Sequence, residues 1–194
     1  MKKVLMMAVA LIATLTVNAQ GMYIKPMVGG TLSTYTSVDD TKMRLGLVGG
    51  AEFGYKIAEM FDVTAGALFT MQGTGYKDDY ETKDYSSTQT FLNIPVMANY
   101  YIIPGLAVKA GIQPGFLLSS KIKYTHNGKD YDSTETEGLE KFALAVPLGL
   151  SYEFSDFVID ARYNLGVTNV SKHNGSKKPK YSVIMLTLGY KIPF

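Results

Sequence analysis

The sequence predicts an all-β fold, an eight-stranded antiparallel up-and-down transmembrane β-barrel. Three observations predict it: apolar and polar residues alternate along most of the chain, short and long connections alternate between these segments, and aromatic residues collect beside the short connections. The stretch FVIDARYNLGV, residues 157–167, shows the alternation clearly. Its large apolar residues share one parity, and Asp160 and Arg162 have the other, as in a β-strand with one apolar and one polar face.

Residues 1–19 are predicted to be a cleaved secretory signal peptide. Lys2 and Lys3 precede an apolar run, and small residues stand at a cleavage site after Ala19. The run is shorter than the roughly 20 apolar residues that a membrane-spanning helix needs. Residues 20–194 then form a single barrel domain of about 175 residues. Because the chain has no cysteine, we expect neither a disulfide nor a lipoprotein anchor.

Eight segments carry the alternation and are the predicted strands. They lie near residues 22–32, 43–56, 61–73, 90–102, 106–119, 141–154, 157–170 and 181–193. The links at 57–60, 103–105 and 155–156 are short, and those at 33–42, 74–89, 120–140 and 171–180 are long and polar. Outer-membrane barrels have tight periplasmic turns and longer extracellular loops, and an even strand number leaves both termini in the periplasm. Bulges are expected at the in-strand prolines Pro26, Pro95, Pro114 and Pro147.

The two strand faces predict what the barrel places outside and inside. The apolar face is continuous and almost free of charge, so in a transmembrane barrel it meets lipid while the polar face fills the lumen. Eight strands enclose a space only wide enough for side chains, and charges removed from water there have to pair. The predicted lumen charge network is Lys25, Arg44, Glu52, Lys109, Glu153, Asp160, Arg162 and Lys191. A soluble lipocalin-like binding barrel, with the faces reversed, is the alternative.

Aromatic residues on the apolar face lie next to the short links. They are Tyr55, Tyr100, Tyr152, Phe154, Phe157, Tyr190 and Phe194. Transmembrane barrels carry such aromatic girdles at their membrane interfaces. We therefore predict a lipid-facing girdle at the periplasmic side.

Several segments resemble, in order and spacing, the PorT-like eight-stranded outer-membrane β-barrel proteins common in Bacteroidetes. They are LGLVGGAEFGYKI (45–57), TAGALFTMQGTGY (64–76), TFLNIPVMANYYI (90–102), DARYNLGVTNV (160–170) and LGYKIPF (188–194). The resemblance implies a barrel in the cell outer membrane, in contact with outer-membrane lipid and lipopolysaccharide. It also implies that the terminal aromatic Phe194 is an assembly signal for the barrel-assembly machinery. No specific activity follows, although resemblance to PorT itself suggests an accessory role in protein secretion.

The sequence offers little for catalysis, and neither an enzyme activity nor a cofactor is predicted. Both histidines, His126 and His173, fall in predicted long loops, away from a serine–acid pair with fixed geometry. Ser171 with His173 keeps a lipid A-modifying enzyme open as an alternative, and a small transporter is another. The acidic loop has oxygen ligands that calcium could use, at Asp130, Asp132, Glu135 and Glu137. We interpret this loop as a solvated surface and predict no metal site.

The balance of charged residues argues against a nucleic-acid partner and favours a role at the cell surface. Removal of Lys2 and Lys3 from the 19 basic residues leaves 17 against 17 acidic ones, which argues against a nucleic-acid partner. The last long link bears Lys172, Lys177, Lys178 and Lys180, which could meet lipopolysaccharide phosphates. The prediction is thus a small outer-membrane barrel with a plugged lumen, exposed loops and a structural or surface-interaction role. The sequence does not identify an extracellular ligand.

Overall fold

The structure of the protein, a computed structural model, describes residues 21–36, 41–76, 82–126, 129–134, 139–170 and 179–194. Within these ranges, no helix is long and apolar enough to cross a membrane. The predicted signal peptide lies outside the described residues and stays a prediction.

Twelve strands make up nearly all of the described chain. They are β1 (Met22–Thr36), β2 (Thr41–Lys42), β3 (Arg44–Ala58), β4 (Phe61–Tyr76), β5 (Thr82–Asn93), β6 (Val96–Ile103), β7 (Leu106–His126), β8 (Lys129–Thr134), β9 (Phe142–Phe154), β10 (Phe157–Gly166), β11 (Lys180–Tyr190) and β12 (Ile192–Pro193). The chain crosses the sheet eight times, and we call each crossing a passage. Four passages consist of two strands each, namely β2 with β3, β5 with β6, β8 with β9 and β11 with β12. Each passage pairs antiparallel with the next, and β1 also pairs with β11 and β12. The sheet is therefore a closed up-and-down ring of eight, which confirms the predicted fold.

Three tight turns, the beginning of β1 and the end of β12 lie at one end of the ring. The turns are the residue pairs 59–60, 104–105 and 155–156. Pro104 followed by Gly105, with a φ of 84° at the glycine, has the sequence and the positive φ that favour a type II turn. The backbone N–H of Phe194 donates to the carbonyl oxygen of Met22 over 3.1 Å. The first and last strands therefore meet beside the short turns, as an even strand number requires.

Side chains alternate between an exposed apolar face and a buried lumen. On β10, Phe157 and Ile159 are 43% and 45% exposed, whereas Asp160 and Arg162 are 0% and 2% exposed. On most strands of the ring, polar and charged residues of one parity are buried and apolar residues of the other parity are exposed. A soluble barrel of lipocalin type would show the reverse, so that alternative was wrong.

The strands on the long-link side extend further than the sequence predicted. β1 continues to residue 36, β4 to 76, β5 begins at 82, and β7 forms a hairpin with β8 up to residues 126 and 129. The predicted links at 33–42, 74–89 and 120–140 were therefore too long. The apolar belt is the part of the outward face that carries apolar side chains. Beyond this belt both faces of a strand are polar, so the alternation that indicates a strand is missing there.

Two other boundaries also differ. β10 ends at Gly166, so the predicted strand 157–170 was too long. Pro95 interrupts the fourth passage between β5 and β6, in keeping with a residue that cannot donate to the ladder. By contrast, Pro26, Pro114 and Pro147 pair in register with Ala51, Leu144 and Asn164, so the bulges expected at these prolines were wrong.

Arginine on the outward face should destabilise the barrel according to depth. Leu186, in the middle of β11, and Ile57, beside the turn at 59–60, are 57% and 56% exposed. Leu186→Arg should lower the free energy of unfolding by about 2–4 kcal/mol and Ile57→Arg by about 0–1 kcal/mol, since the bilayer midplane solvates charge worst. Urea unfolding from lipid vesicles measures both, and Leu186→Ala separates the loss of packing. Equal costs at the two positions would contradict a membrane around this face.

Candidate functional site

Five charged side chains meet in the lumen and form what we name the charge cluster. Lys25 comes from β1, Glu52 from β3, Lys109 from β7, and Asp160 and Arg162 from β10, and each is at most 4% exposed. They are inward-facing because each has the buried parity of its strand. The structure thus brings together five of the eight residues of the predicted network.

Arg162 joins the two carboxylates of the charge cluster. Its Nε lies 2.5 Å from Oδ1 of Asp160, and its Nη2 donates to Oδ2 of Asp160 over 2.9 Å. On the other side, Nη1 lies 2.5 Å from Oε1 of Glu52, as an ion pair rather than an aligned hydrogen bond. A planar guanidinium presents two N–H groups side by side to one carboxylate and a third to another, a fixed geometry that the ammonium group of a lysine lacks.

The two lysines complete the charge cluster. Nζ of Lys25 lies 2.9 Å from Oε2 of Glu52 and 3.9 Å from Oδ2 of Asp160. Nζ of Lys109 pairs with Asp160 and lies 4.0 Å from Oε2 of Glu52. Each carboxylate therefore faces three cations, and the cluster carries three positive charges against two negative ones.

Asp62 supplies a third buried carboxylate next to the charge cluster. It accepts hydrogen bonds from the hydroxyls of Tyr23, over 2.8 Å, and Tyr101, over 3.0 Å, and from the amide of Asn99. In the sheet register Asn99 lies between Asp62 and Lys109. When Asp62 is added to the charge cluster, three negative charges balance the three positive charges. Its parity in the predicted strand 61–73 indicates an inward side chain, but its three donors could not be predicted from any local pattern.

The other three predicted network residues lie nearer the two ends of the barrel. Nζ of Lys191 is 2.9 Å from Oε2 of Glu153 in a pair that is about one quarter exposed at the mouth beside the tight turns. The same Nζ lies 4.3 Å above the ring of Tyr23, a cation–π contact. Arg44 lies at the opposite end, facing Ser33 across the β1–β3 ladder. Among the described residues it makes no ion pair with the charge cluster.

Apolar and aromatic side chains fill the lumen on the long-link side of the charge cluster. Met27, Val48, Leu68 and Met185 form one buried group, which we name the apolar layer. Further along, Tyr35, Phe91 and Tyr181 form an aromatic layer, with both Tyr35 and Phe91 packed edge-on against Tyr181 at 5.4 Å. The two tyrosine hydroxyls donate to Oε1 of Gln89. Sequence reasoning missed both layers, because it identified lumen residues by their charge.

The voids between these groups are small. One of about 10 Å³ borders Lys25, Asn99 and Lys109, and one of about 20 Å³ borders Gln113 and Asn164. A water molecule needs roughly 10–15 Å³ by the same measure, so each void has space for about one. Oε1 of Gln113 and both amide atoms of Asn164 lack protein partners, which suits a water in the second void. The described part of the lumen is therefore packed by side chains.

The seven residues of the predicted girdle all lie on the exposed face at the tight-turn end. They are Tyr55, Tyr100, Tyr152, Phe154, Phe157, Tyr190 and Phe194. Phe157 stacks on Phe154 at 5.7 Å and meets Tyr190 edge-on at 5.2 Å. The hydroxyl of Tyr190 donates to the Asp156 carboxylate of the adjacent turn over 3.2 Å. A ring with an apolar body and a polar tip suits a membrane interface.

The remaining candidate residues fall mostly outside the described chain. Ser171, His173, Lys172, Lys177, Lys178, Glu135 and Glu137 lie in ranges that the structure does not describe. His126 ends β7, and Asp130 and Asp132 belong to β8, where only the backbone is described; Lys180 begins β11. Within the described residues, no group of three or more potential ligands could hold a metal ion.

Breaking the charge cluster at one carboxylate should cost much more than breaking the pair at the mouth. Asp160→Asn leaves three buried cations against Glu52, so we expect the free energy of unfolding to fall by about 3–5 kcal/mol. Glu153→Gln removes one partner of a pair that solvent screens, so we expect a loss of about 0–1 kcal/mol. Urea titration in lipid vesicles gives both values. A loss for Asp160→Asn no larger than for Glu153→Gln would show that the cluster does not stabilise the barrel.

Comparison with known proteins agrees with this architecture. The family profile described as "Outer membrane protein beta-barrel domain" matches residues 12–172. No curated protein matches the chain.

Two solved structures of one protein show the same fold at low sequence identity. The crystal structure of Ail, the attachment invasion locus protein of Yersinia pestis, is 17% identical with a TM-score of 0.51, over 89% of this chain and 99% of that one. Ail in complex with the heparin analogue sucrose octasulfate gives 17% and 0.52 over the same shares of the two chains. Neisserial surface protein A is 15% identical with a TM-score of 0.48, over 90% and 97%. The family profile covers most of the chain and the ring has the matching architecture, so this protein belongs to the outer membrane protein β-barrel domain family and is a small barrel of the cell outer membrane.

Proposed function

We propose that this protein is a non-conducting outer-membrane barrel that acts through its extracellular end, neither as a channel nor as an enzyme. The observation that carries the proposal is the filled lumen. The charge cluster, the apolar layer and the aromatic layer follow one another along the axis, and the voids beside them hold about 10 and 20 Å³. A solute larger than water has no path through such packing, which argues against the small-transporter alternative.

The strands that extend past the apolar belt support a role at the cell surface. Pairing of β7 with β9 reaches residue 116, β7 continues for ten residues to 126, and β8 pairs with residues 121–126 of it. At about 3.3 Å per residue, β7 extends roughly 30 Å beyond its pairing with β9, and the paired hairpin accounts for about 20 Å of this. Loops are where binding residues are usually found when a rigid scaffold positions them. The sealed barrel would be such a scaffold, with long connections outside the cell.

The chemistry of the last long connection favours an anionic partner, and we propose lipopolysaccharide phosphate. Lys172, Lys177, Lys178 and Lys180 lie within ten residues of sequence, and Lys180 is the first residue of β11 at the extracellular end. Ail, with a similar fold, has been crystallised with a sulfated heparin analogue, which illustrates an anionic sugar on a small barrel. Lysines near an anionic surface each contribute about 1 kcal/mol to the attraction.

An accessory role in protein secretion is the second candidate, and the PorT-like segments quoted from the sequence support it. That role also works through surfaces rather than through a conducting lumen. Deletion of the gene would distinguish the two: loss of secreted proteins from the medium favours the secretion role, and unchanged secretion favours the surface role. In either role, we propose that the assembly machinery recognises Phe194 before the barrel closes.

Purified protein in planar bilayers should show no steady single-channel currents. The lumen layers leave no continuous water path in the described part of the barrel, so ions would have to displace packed side chains. Asp160→Asn tests whether conduction can be induced by loosening the charge cluster. Large, stable currents from the unmodified protein would refute the sealed barrel and favour a porin-like function.

Replacement of Lys172, Lys177 and Lys178 by glutamine should weaken binding of lipopolysaccharide by tenfold or more, because each lysine contributes about 1 kcal/mol. Binding of lipopolysaccharide to the barrel in nanodiscs measures the effect, which should decrease as salt is added. Lys56→Gln, at the periplasmic end, is the control for loss of charge. Unchanged affinity in the triple variant would exclude this connection as the binding surface.

A further inference from the structure

The periplasmic mouth contains a cavity that neither the sealed lumen nor the extracellular surface explains. It has a volume of about 530 Å³ and lies between the turns at 59–60 and 104–105. These turns are neighbours because β4 pairs with β6 and the N–H of Tyr101 donates to the carbonyl of Met60 over 2.9 Å. Cavities of 300–1,000 Å³ are typical of sites for small ligands.

The two walls of this cavity have different chemistry. One wall is apolar and belongs to the outward face: Met60, Ile102 and Ile103 are 46–54% exposed, next to Tyr100 of the aromatic girdle. The other wall faces the lumen and includes Asp62, Tyr101 and the Lys191–Glu153 pair. The cavity therefore joins the lipid-facing surface to the polar mouth at the level of the membrane interface.

The charges around the cavity have both signs. Lys56 and Glu59 stand at its rim, exposed, and neither makes an ion pair among the described residues. Behind them, the buried carboxylate of Asp62 is held by three neutral donors, without a cation. A ligand with one cationic and one anionic group, joined to an apolar part, would satisfy these features together.

We propose that this cavity binds one zwitterionic aminophospholipid of the periplasmic leaflet. Its ammonium would lie on the Glu59 and Asp62 side, its phosphate would pair with Lys56, and its acyl chains would follow the apolar wall at Ile102 into the bilayer. A water-soluble zwitterion fits less well, because it would leave Met60, Ile102 and Ile103 uncovered. The site does not depend on what the extracellular end binds, so the two proposals can fail separately.

Native mass spectrometry of the whole protein, released from nanodiscs with equal amounts of phosphatidylethanolamine, phosphatidylcholine and phosphatidylglycerol, tests the proposal. We expect one phosphatidylethanolamine to be retained in preference to the other two lipids. Lys56→Glu and Glu59→Lys should each reduce that retention about two- to fivefold, the change produced by loss of one partly exposed ion pair. Both positions are exposed, so the variants should fold. Lys121→Glu, exposed at the opposite end, is the matched control and should retain the lipid normally.

Three results would overturn the assignment. One is equal retention of the three lipids by the unmodified protein. The second is equal retention by Lys56→Glu and the Lys121→Glu control. The third is displacement of the lipid by glycerophosphoethanolamine, which has the headgroup without acyl chains, because this would show that a soluble zwitterion is the preferred occupant.

Discussion

The ion pairs of the charge cluster are the interaction on which the rest of the structure depends. The outward face is apolar, so charged side chains of the strands can only point inward, where eight strands leave no bulk water. A buried ion without a partner is costly, and Arg162, Lys25 and Lys109 therefore have to pair with Glu52 and Asp160. This pairing fixes which strands lie opposite each other across the lumen, because the partners come from β1, β3, β7 and β10.

A packed middle divides the molecule into two separate ends. On the long-link side, the apolar and aromatic layers stand between the charge cluster and the extended strands. On the tight-turn side, the mouth is partly open, with Lys191 and Glu153 at its edge. A ligand at one end therefore has no direct contact with a ligand at the other. Each surface is free to differ in charge and shape, while the wall between them keeps the same fold.

The direction of each strand residue could be predicted from the sequence, but the contacts between residues could not. Period two places Asp160 and Arg162 on the same face without knowledge of any partner. That Arg162 meets Glu52, 110 positions away, depends on the stagger of the ring, which no local pattern encodes. Apolar lumen residues such as Leu68 and Phe91 were missed because, in local composition, they look like any other strand residue. The cavity at the mouth combines residues of both parities from two turns, so a reading strand by strand could not find it.

The seam between the first and last strands has a consequence for how the chain reaches its final state. Thr36 and Lys180 are hydrogen-bonded across this seam although they are 144 positions apart in the sequence, and Phe194 is hydrogen-bonded to Met22. Contacts at such separation form late and slowly, since a long loop has to close first. Until the last residues join, every partial barrel has two unpaired edges that can capture other chains. This chain therefore needs protection from other copies of itself until the barrel has closed.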